Sequence, residues 1–432
     1  MYQLSAKLRL FAILLMGIGV LSITYGFLST PRDVAAVQRI LTQRSAGQPE
    51  SGAGVHYDEA QLQHAWHQMQ NRPWAAVLYS AFFFTAVALA VLFFYAVQIA
   101  AEVGWSVVLL RVMEAISWFV PVGGAIILIV LFCSAGHLNH LYHWMASGIT
   151  DPTAPHYDAV IAAKSGYLNT PFFLLRSVVY VGGWTAMLVW MQKAGLAVDE
   201  SKNWALFKRY KTRAVLFLIC YAITSTTMAW DWIMSINPHW FSTLFGWYIL
   251  GVVFPTAVSA LAIATIYLKS KGYMPDVNDS HIHDLAKYIF AFSLLWGYLW
   301  FAQYMLYWYA DIPEEVTYFL SRWRDYRIPY FAILVLNLVV PTLVLMNSDF
   351  KRIPFLVVFT GISVIIGHAI ESYVLIAPEV VGKNWHMGVV EWGSWLGFLG
   401  LFIFVSFTAL TKVSLSARGN PYWKESEAYR YG

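Results

Sequence analysis

Ten apolar stretches recur along this chain, each about 20 residues long, and a helix of that length reaches across the hydrocarbon core of a bilayer. They fall near Leu8–Leu28, Trp74–Ala100, Ser117–Leu138, Pro171–Gln192, Ala214–Ser235, Thr243–Leu268, Leu285–Tyr309, Ile328–Met346, Pro354–Ile376 and Gly388–Thr411. Hydrocarbon offers no water to a backbone N–H or C=O, so such stretches are confined to helices that satisfy those groups internally. The expected fold class is all-α integral membrane. Hydrophobic residues are 59% of the chain and charged residues 12%, against roughly 45–50% and 25% in a soluble domain. Ionisable groups inside the spans are therefore rare, and function is to be sought among them.

The first span follows Lys7 and Arg9; it is longer than a usual signal-peptide core and no small-residue cleavage site follows it, so it reads as an anchor. With the N-terminus cytoplasmic, 18 of the 28 lysines and arginines lie on inside segments and 9 outside, leaving Arg176 within a span. By the positive-inside rule both termini face the cytoplasm. The net charge of +4 follows from that topology, and no basic run interleaved with aromatics points to nucleic acid. Cys133 and Cys220 both lie in apolar spans, which excludes a disulfide framework, and the chain lacks the cysteines to hold an iron–sulfur cluster alone. The twenty tryptophans cluster mostly at span ends as an interface belt.

The sizeable connector Ser29–Pro73 is expected outside, in the periplasm: Ser45–Gly54 has a flexible composition and Tyr57–Asn71 a helical one. His64 and His67 have metal-ligand spacing there, but no third ligand sits nearby at helical spacing, and no metal is assigned. A weak repeat organises the rest. Asn71 and Trp74 recur as Asn237 and Trp240, and the same offset of 166 carries His137 onto Gln303. Spans two to five then correspond to spans six to nine in the same orientation. The organisation expected is residues 1–73 as anchor and periplasmic loop, 74–235 and 236–376 as two four-helix bundles, and 377–432 as the last span and a cytoplasmic tail.

Two long runs carry a resemblance: Trp230-Asp-Trp-Ile-Met-Ser-Ile-Asn-Pro-His-Trp-Phe-Ser-Thr-Leu-Phe-Gly-Trp-Tyr248, and Phe301-Ala-Gln-Tyr-Met-Leu-Tyr-Trp-Tyr-Ala-Asp-Ile-Pro-Glu-Glu315. With them the chain resembles, over Trp74–Thr411, the NrfD/polysulfide-reductase family of membrane subunits, in particular the F-type (ActF) subunits of alternative complex III. That assembly is a bacterial quinol:cytochrome c (or quinol:oxidase) oxidoreductase of the inner membrane. The resemblance implies a ten-helix fold with two four-helix bundles and no redox centre in this chain. It also implies a related C membrane subunit as partner and a neighbour carrying iron–sulfur clusters on the outer side, haems belonging to partner subunits. A quinone or quinol is then a possible ligand.

A quinol gives up two protons with its two electrons, so its site needs a proton acceptor and an exit path. His137, His140 and His143 recur every third residue around the outer end of the third span; His137 is expected deepest and His143 at interfacial water. Arg176 is placed about five residues inside the fourth span, where an unpaired charge costs about 2.5–3.5 kcal/mol on insertion scales. Asp231, at comparable depth in the next helix, is its natural partner, either as an interhelical clamp or as part of a proton relay. Asp158, Lys164 and Tyr167 line the same entrance or sit on a solvated loop. In the second half His368 and Glu371 are one turn apart on one helix face, able to exchange a proton, and Glu391 reads as an isolated carboxylate of the last span. Asp311, Glu314 and Glu315 read as docking or surface residues.

Two functions remain compatible with these residues. One is a subunit contributing a quinone-type pocket or a proton route to a respiratory complex; the other is a scaffold or proton-conducting subunit without quinol turnover of its own. A secondary transporter is remote, because the spans lack the Gly/Pro-broken half-helices that build midplane substrate sites.

Overall fold

The computed structural model describes residues 2–46 and 57–431, and among these it is helical throughout, with no strand. Ten helices are long and apolar enough to cross a membrane: Ala6–Ser29, Glu59–Ala100, Val107–Ala135, Thr170–Ser201, Trp204–Ile236, Phe245–Ser270, Asp279–Ala310, Arg327–Leu345, Pro354–Val380 and Val389–Leu410. The protein is an all-α, multi-pass integral membrane protein. Each expected span is present, several with longer ends. The second begins at Glu59 and runs unbroken for 42 residues, so the boundary expected before Trp74 falls inside a helix. A capping box between Asp58 and Gln61 starts it, satisfying the orphan N–H groups of the first turn. Most of the flexible-composition stretch Ser45–Gly54 lies outside the described residues.

Spans two to five close a ring, in which the second packs on the third and fifth and the fourth on the third and fifth. Spans six to nine close the same ring in the same order, so the repeat read from scattered residues corresponds to two four-helix bundles. The second span joins them, packing against the sixth and ninth as well as its own bundle. Both termini lie at one end, here called the termini face: Tyr2 packs on Tyr273 at 4.9 Å, and the Tyr431 N–H donates to Ser280 Oγ at 3.0 Å. Residues 30–46 and 57–58 and the connectors 136–169, 237–244, 311–326 and 381–388 lie at the opposite, loop face.

The tail crosses the termini face and fastens both bundles. Tyr422 donates to Glu102 at 2.6 Å, and Gly419 N to Asp199 at 3.2 Å, in the first half; Tyr429 donates to Asp284 at 2.6 Å in the second.

Two spans are irregular for identifiable reasons. The third bends at Trp118, between Leu110–Ser117 and Phe119–Ala135. Pro121 follows four residues after Ser117 and has no N–H to close that turn. The eighth contains a π-turn at Val335–Val339, where Pro341 crowds the carbonyl of Asn337.

The first span leans on the tenth through small residues. Its buried face is Ala12, Leu15, Gly19, Ser22 and Gly26, opposite Gly393, Gly397 and Gly400. A Cβ on Gly397 would fall 2.6 Å from Gly19 Cα, and one on Gly400 would fall 2.6 Å from the Ala12 carbonyl. Backbones approach this closely where both helices carry small residues, the arrangement by which membrane helices associate without a hydrophobic drive. Gly397→Val should cost about 1–3 kcal/mol through overpacking and detach the first span, read as a lower melting temperature together with faster proteolysis of residues 30–46. A variant that melts and cleaves like the parent would show that the glycine contact does not hold the first span.

Candidate functional site

Near the loop face of the first bundle, Arg176 and Asp231 meet as expected. Arg176 Nε and Nη2 donate to the two carboxylate oxygens of Asp231, each at 2.8 Å. Tyr180 donates to the same carboxylate at 2.8 Å, and Arg176 Nη1 donates to the Tyr167 carbonyl at 3.1 Å. The guanidinium lies over the rings of Tyr167 and Phe172, at 3.9 and 4.2 Å. Asp231 is wholly buried and the Arg176 side chain nearly so. A bidentate, stacked arginine of this kind is held in one geometry, which favours the clamp over the relay.

The corresponding carboxylate of the second bundle is Glu371, and its surroundings differ. His368 Nδ1 lies 2.7 Å from Glu371 Oε2, the i, i+3 contact expected from the sequence. Trp296 of the seventh span donates to Oε1 at 3.0 Å, and Tyr248 of the sixth donates to the same oxygen. Asn337 Nδ2, in the π-turn of the eighth, is 3.1 Å from His368 Nδ1 and 3.4 Å from Glu371 Oε2. All four helices of the bundle thus converge on one carboxylate. His368 is 0% and Glu371 1% exposed, and the Nε2 of His368 and the Oδ1 of Asn337 have no hydrogen-bond partner. Glu371 lies about 14 Å from the Val380 end of its helix at 1.5 Å per residue. Tyr248, Gln303, Arg322 and Glu371 line a cavity of about 20 Å³ there, enough for a water molecule and too small for a quinone ring.

Three sequence-level expectations are corrected. His137 is not inside the third span: that helix ends at Ala135, and His137 occupies the left-handed C′ position (φ 56°), exposed on the loop face. Its N–H bonds the Ser134 carbonyl and the Leu138 N–H that of Cys133, a Schellman ending. His140 and His143 are also loop residues; the His140 ring packs on His67 at 4.1 Å, and its backbone is clasped by the Asn71 side chain at 2.8 and 3.0 Å. Glu391 is not isolated. It sits in the first turn of the tenth span and accepts from Arg72 at 2.6 and 2.9 Å and from Gly388 N at 2.8 Å.

Two charge clusters were missed. Arg111, counted from sequence among the inside-segment charges, and Glu114, which lies before the expected start of the third span at Ser117, are buried in that span, which begins at Val107. Arg111 bridges Glu114 and Asp199 of the fourth span, and Tyr95 donates to Glu114 at 2.5 Å while meeting the Tyr210 hydroxyl. The i, i+3 spacing of Arg111 and Glu114 was the available signal. Arg322, read as an outside-loop charge, is buried against Glu379 at 3.1 Å, and Asn237 donates to the other oxygen of Glu379 at 3.0 Å.

Fold and site together define a ten-span, two-bundle membrane protein in which each bundle buries one multiply bonded carboxylate toward the loop face. No protein-family model matches the chain, and no curated protein matches it.

Breaking the Arg176–Asp231 pair from one side leaves a buried charge unopposed, at a cost of about 3–5 kcal/mol, whereas removing both partners costs less. Arg176→Leu and Asp231→Leu should each lower the melting temperature of the purified protein more than the double change does. Additive losses would mean that the two side chains do not act as a pair.

Partial burial lowers the pKa of His140 and of His143, with His137 adding to the first and His239 to the second. A histidine whose folded pKa lies below its unfolded value near 6.5 contributes full stability above that value and loses it as pH falls. The melting temperature should therefore drop between about pH 7 and pH 5, with a shallower drop in His143→Gln; an unchanged slope in that variant would remove His143 from the account.

Proposed function

We propose that this chain is a proton-handling membrane subunit of a respiratory quinol-oxidising oxidoreductase of the alternative complex III kind. The observation that carries the reading is the His368–Glu371 dyad: an imidazole bonded to a carboxylate inside an apolar bundle, with three further polar groups, Trp296, Tyr248 and Asn337, spent on holding it. Buried ionisable groups are costly in a membrane helix and mark proton relays or ligand sites. The resemblance carried by Trp230–Tyr248 and Phe301–Glu315 supplies the type of complex. An iron–sulfur subunit on the loop face and a related C subunit beside it are the partners this reading calls for, in a bacterial inner membrane with both termini cytoplasmic.

The cavity beside Glu371 admits water, not a quinone ring, so the reading gives quinol chemistry to a neighbouring subunit and proton movement to this one. His368 accepts a proton at one ring nitrogen while the other stays on Glu371; Trp296, Tyr248 and Asn337 keep the carboxylate in place during the exchange. The Arg176–Asp231 clamp favours a second role alongside it, as scaffold.

In the assembled complex, Glu371→Gln and His368→Gln should leave subunit composition and cluster content intact while turnover or proton release falls by about 10²-fold, the scale of general acid–base catalysis. Intact mutant complexes with parental turnover and proton release at several pH values would leave the scaffold role alone.

A further inference from the structure

Beside the Arg176 clamp, the loop face carries a second, larger cavity of about 510 Å³, within the size range of ligand sites. Its walls come from the connector 163–168 and from the turn between the fifth and sixth spans, with Tyr167, Met234 and Phe241 giving it an apolar body. Three of its polar groups, on Lys164, Trp230 and Trp240, are donors with bonds to spare. Trp240 is 3% exposed, and its indole N–H has no acceptor; the Trp230 indole N–H in the same wall has none either. An indole nitrogen can only donate, and a buried donor without an acceptor is costly. Lys164 Nζ reaches in and spends one of its three N–H bonds on the Pro238 carbonyl at 2.6 Å.

No aspartate or glutamate lines the cavity. Asp158, which acts on Lys164, is taken by His239 at 3.1 Å and by the N–H groups of Val160 and Ile161, while Asp231 and Glu379, behind the cavity wall, are paired with Arg176 and Arg322. Burial pulls Lys164 below the usual lysine pKa, with Asp158 opposing, as suits a cation lacking a close counter-charge. The fourth span carries exposed Leu175 and Val179, and the fifth exposed Ile223.

A cation, two unmatched N–H donors and an apolar body, in a protein whose fourth and fifth spans carry exposed apolar side chains, complement one chemistry, an anionic acceptor head on a hydrocarbon tail. We propose that this cavity seats the headgroup phosphate of an anionic phospholipid, held by Lys164 and the indole N–H groups of Trp230 and Trp240, with its acyl chains along the fourth and fifth spans. Charge-assisted bonds from ammonium to phosphate are the strong member of that set.

The test uses the full-length protein in neutral detergent, offered phosphatidylglycerol, phosphatidylcholine or inorganic phosphate, with retained ligand counted by native mass spectrometry. One phosphatidylglycerol should be retained at least fivefold better than phosphatidylcholine, lost by at least fivefold in Lys164→Met and in part in Trp240→Phe, and unchanged in Lys383→Gln elsewhere on the same face. Equal retention by the parent and Lys164→Met, equal retention of the two lipids, or a neutral quinone found in place of lipid would each overturn the assignment. Should Lys164→Met fail to fold, the parent decides alone. Its melting temperature must rise with phosphatidylglycerol and not with phosphatidylcholine or inorganic phosphate, and any other pattern refutes the lipid.

Discussion

An ionised side chain stripped of water must find its counter-charge within the protein, and this constraint governs how the ten helices are placed. Arg176 ties the fourth span to Asp231 of the fifth, and Arg111 ties the third to Asp199 of the fourth. Arg72 ties the second to Glu391 of the tenth, and Arg322 on the loop face ties its connector to Glu379 of the ninth. Such pairs add little net stability over apolar residues of the same shape, but a misplaced partner leaves a buried charge that costs several kcal/mol. Their effect is on register: a helix displaced by one turn loses its partner, while its apolar contacts can be largely replaced.

What could be read from the sequence follows the same division. The spans were legible because length and apolarity are local properties, and the Arg176–Asp231 pair was legible because each member alone would be untenable. The His368–Glu371 contact was legible from helical spacing alone. Glu391 looked isolated because Arg72 is 319 residues distant in the chain, and no local pattern reports a pairing across that separation. Arg111 and Glu114 were hidden by a hydropathy boundary: the third helix starts before its apolar stretch does, so buried charges in its first turns read as loop. His137 was misplaced by one feature of the backbone. The apolar stretch runs on to Leu138, yet the helix ends at Ala135 with Gly136 as its cap, and His137 takes the left-handed position after it, exposed on the loop face.

The two bundles share a ring of four helices and a carboxylate near one end, but they answer the burial of that carboxylate differently. In the first, the partner is an arginine, whose guanidinium does not release its proton in the physiological range; the pair is locked by two parallel bonds, a tyrosine donor and two stacked rings. In the second, the partner is an imidazole, bonded through Nδ1 to the carboxylate. A fixed cation keeps its carboxylate in service as a tether. An imidazole beside a carboxylate is the pairing that the proposed proton-handling role calls for.

That difference also accounts for the irregular eighth span. A regular helix around Asn337 would have to absorb the clash between Pro341 and the Asn337 carbonyl as a kink or a lost bond. A π-turn absorbs it by widening one turn, and the widened turn carries the Asn337 amide toward His368 and Glu371. The same side chain leaves its own Oδ1 without a donor, and the Nε2 of His368 is unpartnered too. Two unsatisfied polar atoms in one apolar bundle are tolerated poorly by stability alone. The geometry thus places the strain of the helix, the titratable base and the open hydrogen-bonding capacity at one point of the second bundle, where the first bundle has only a saturated ion pair.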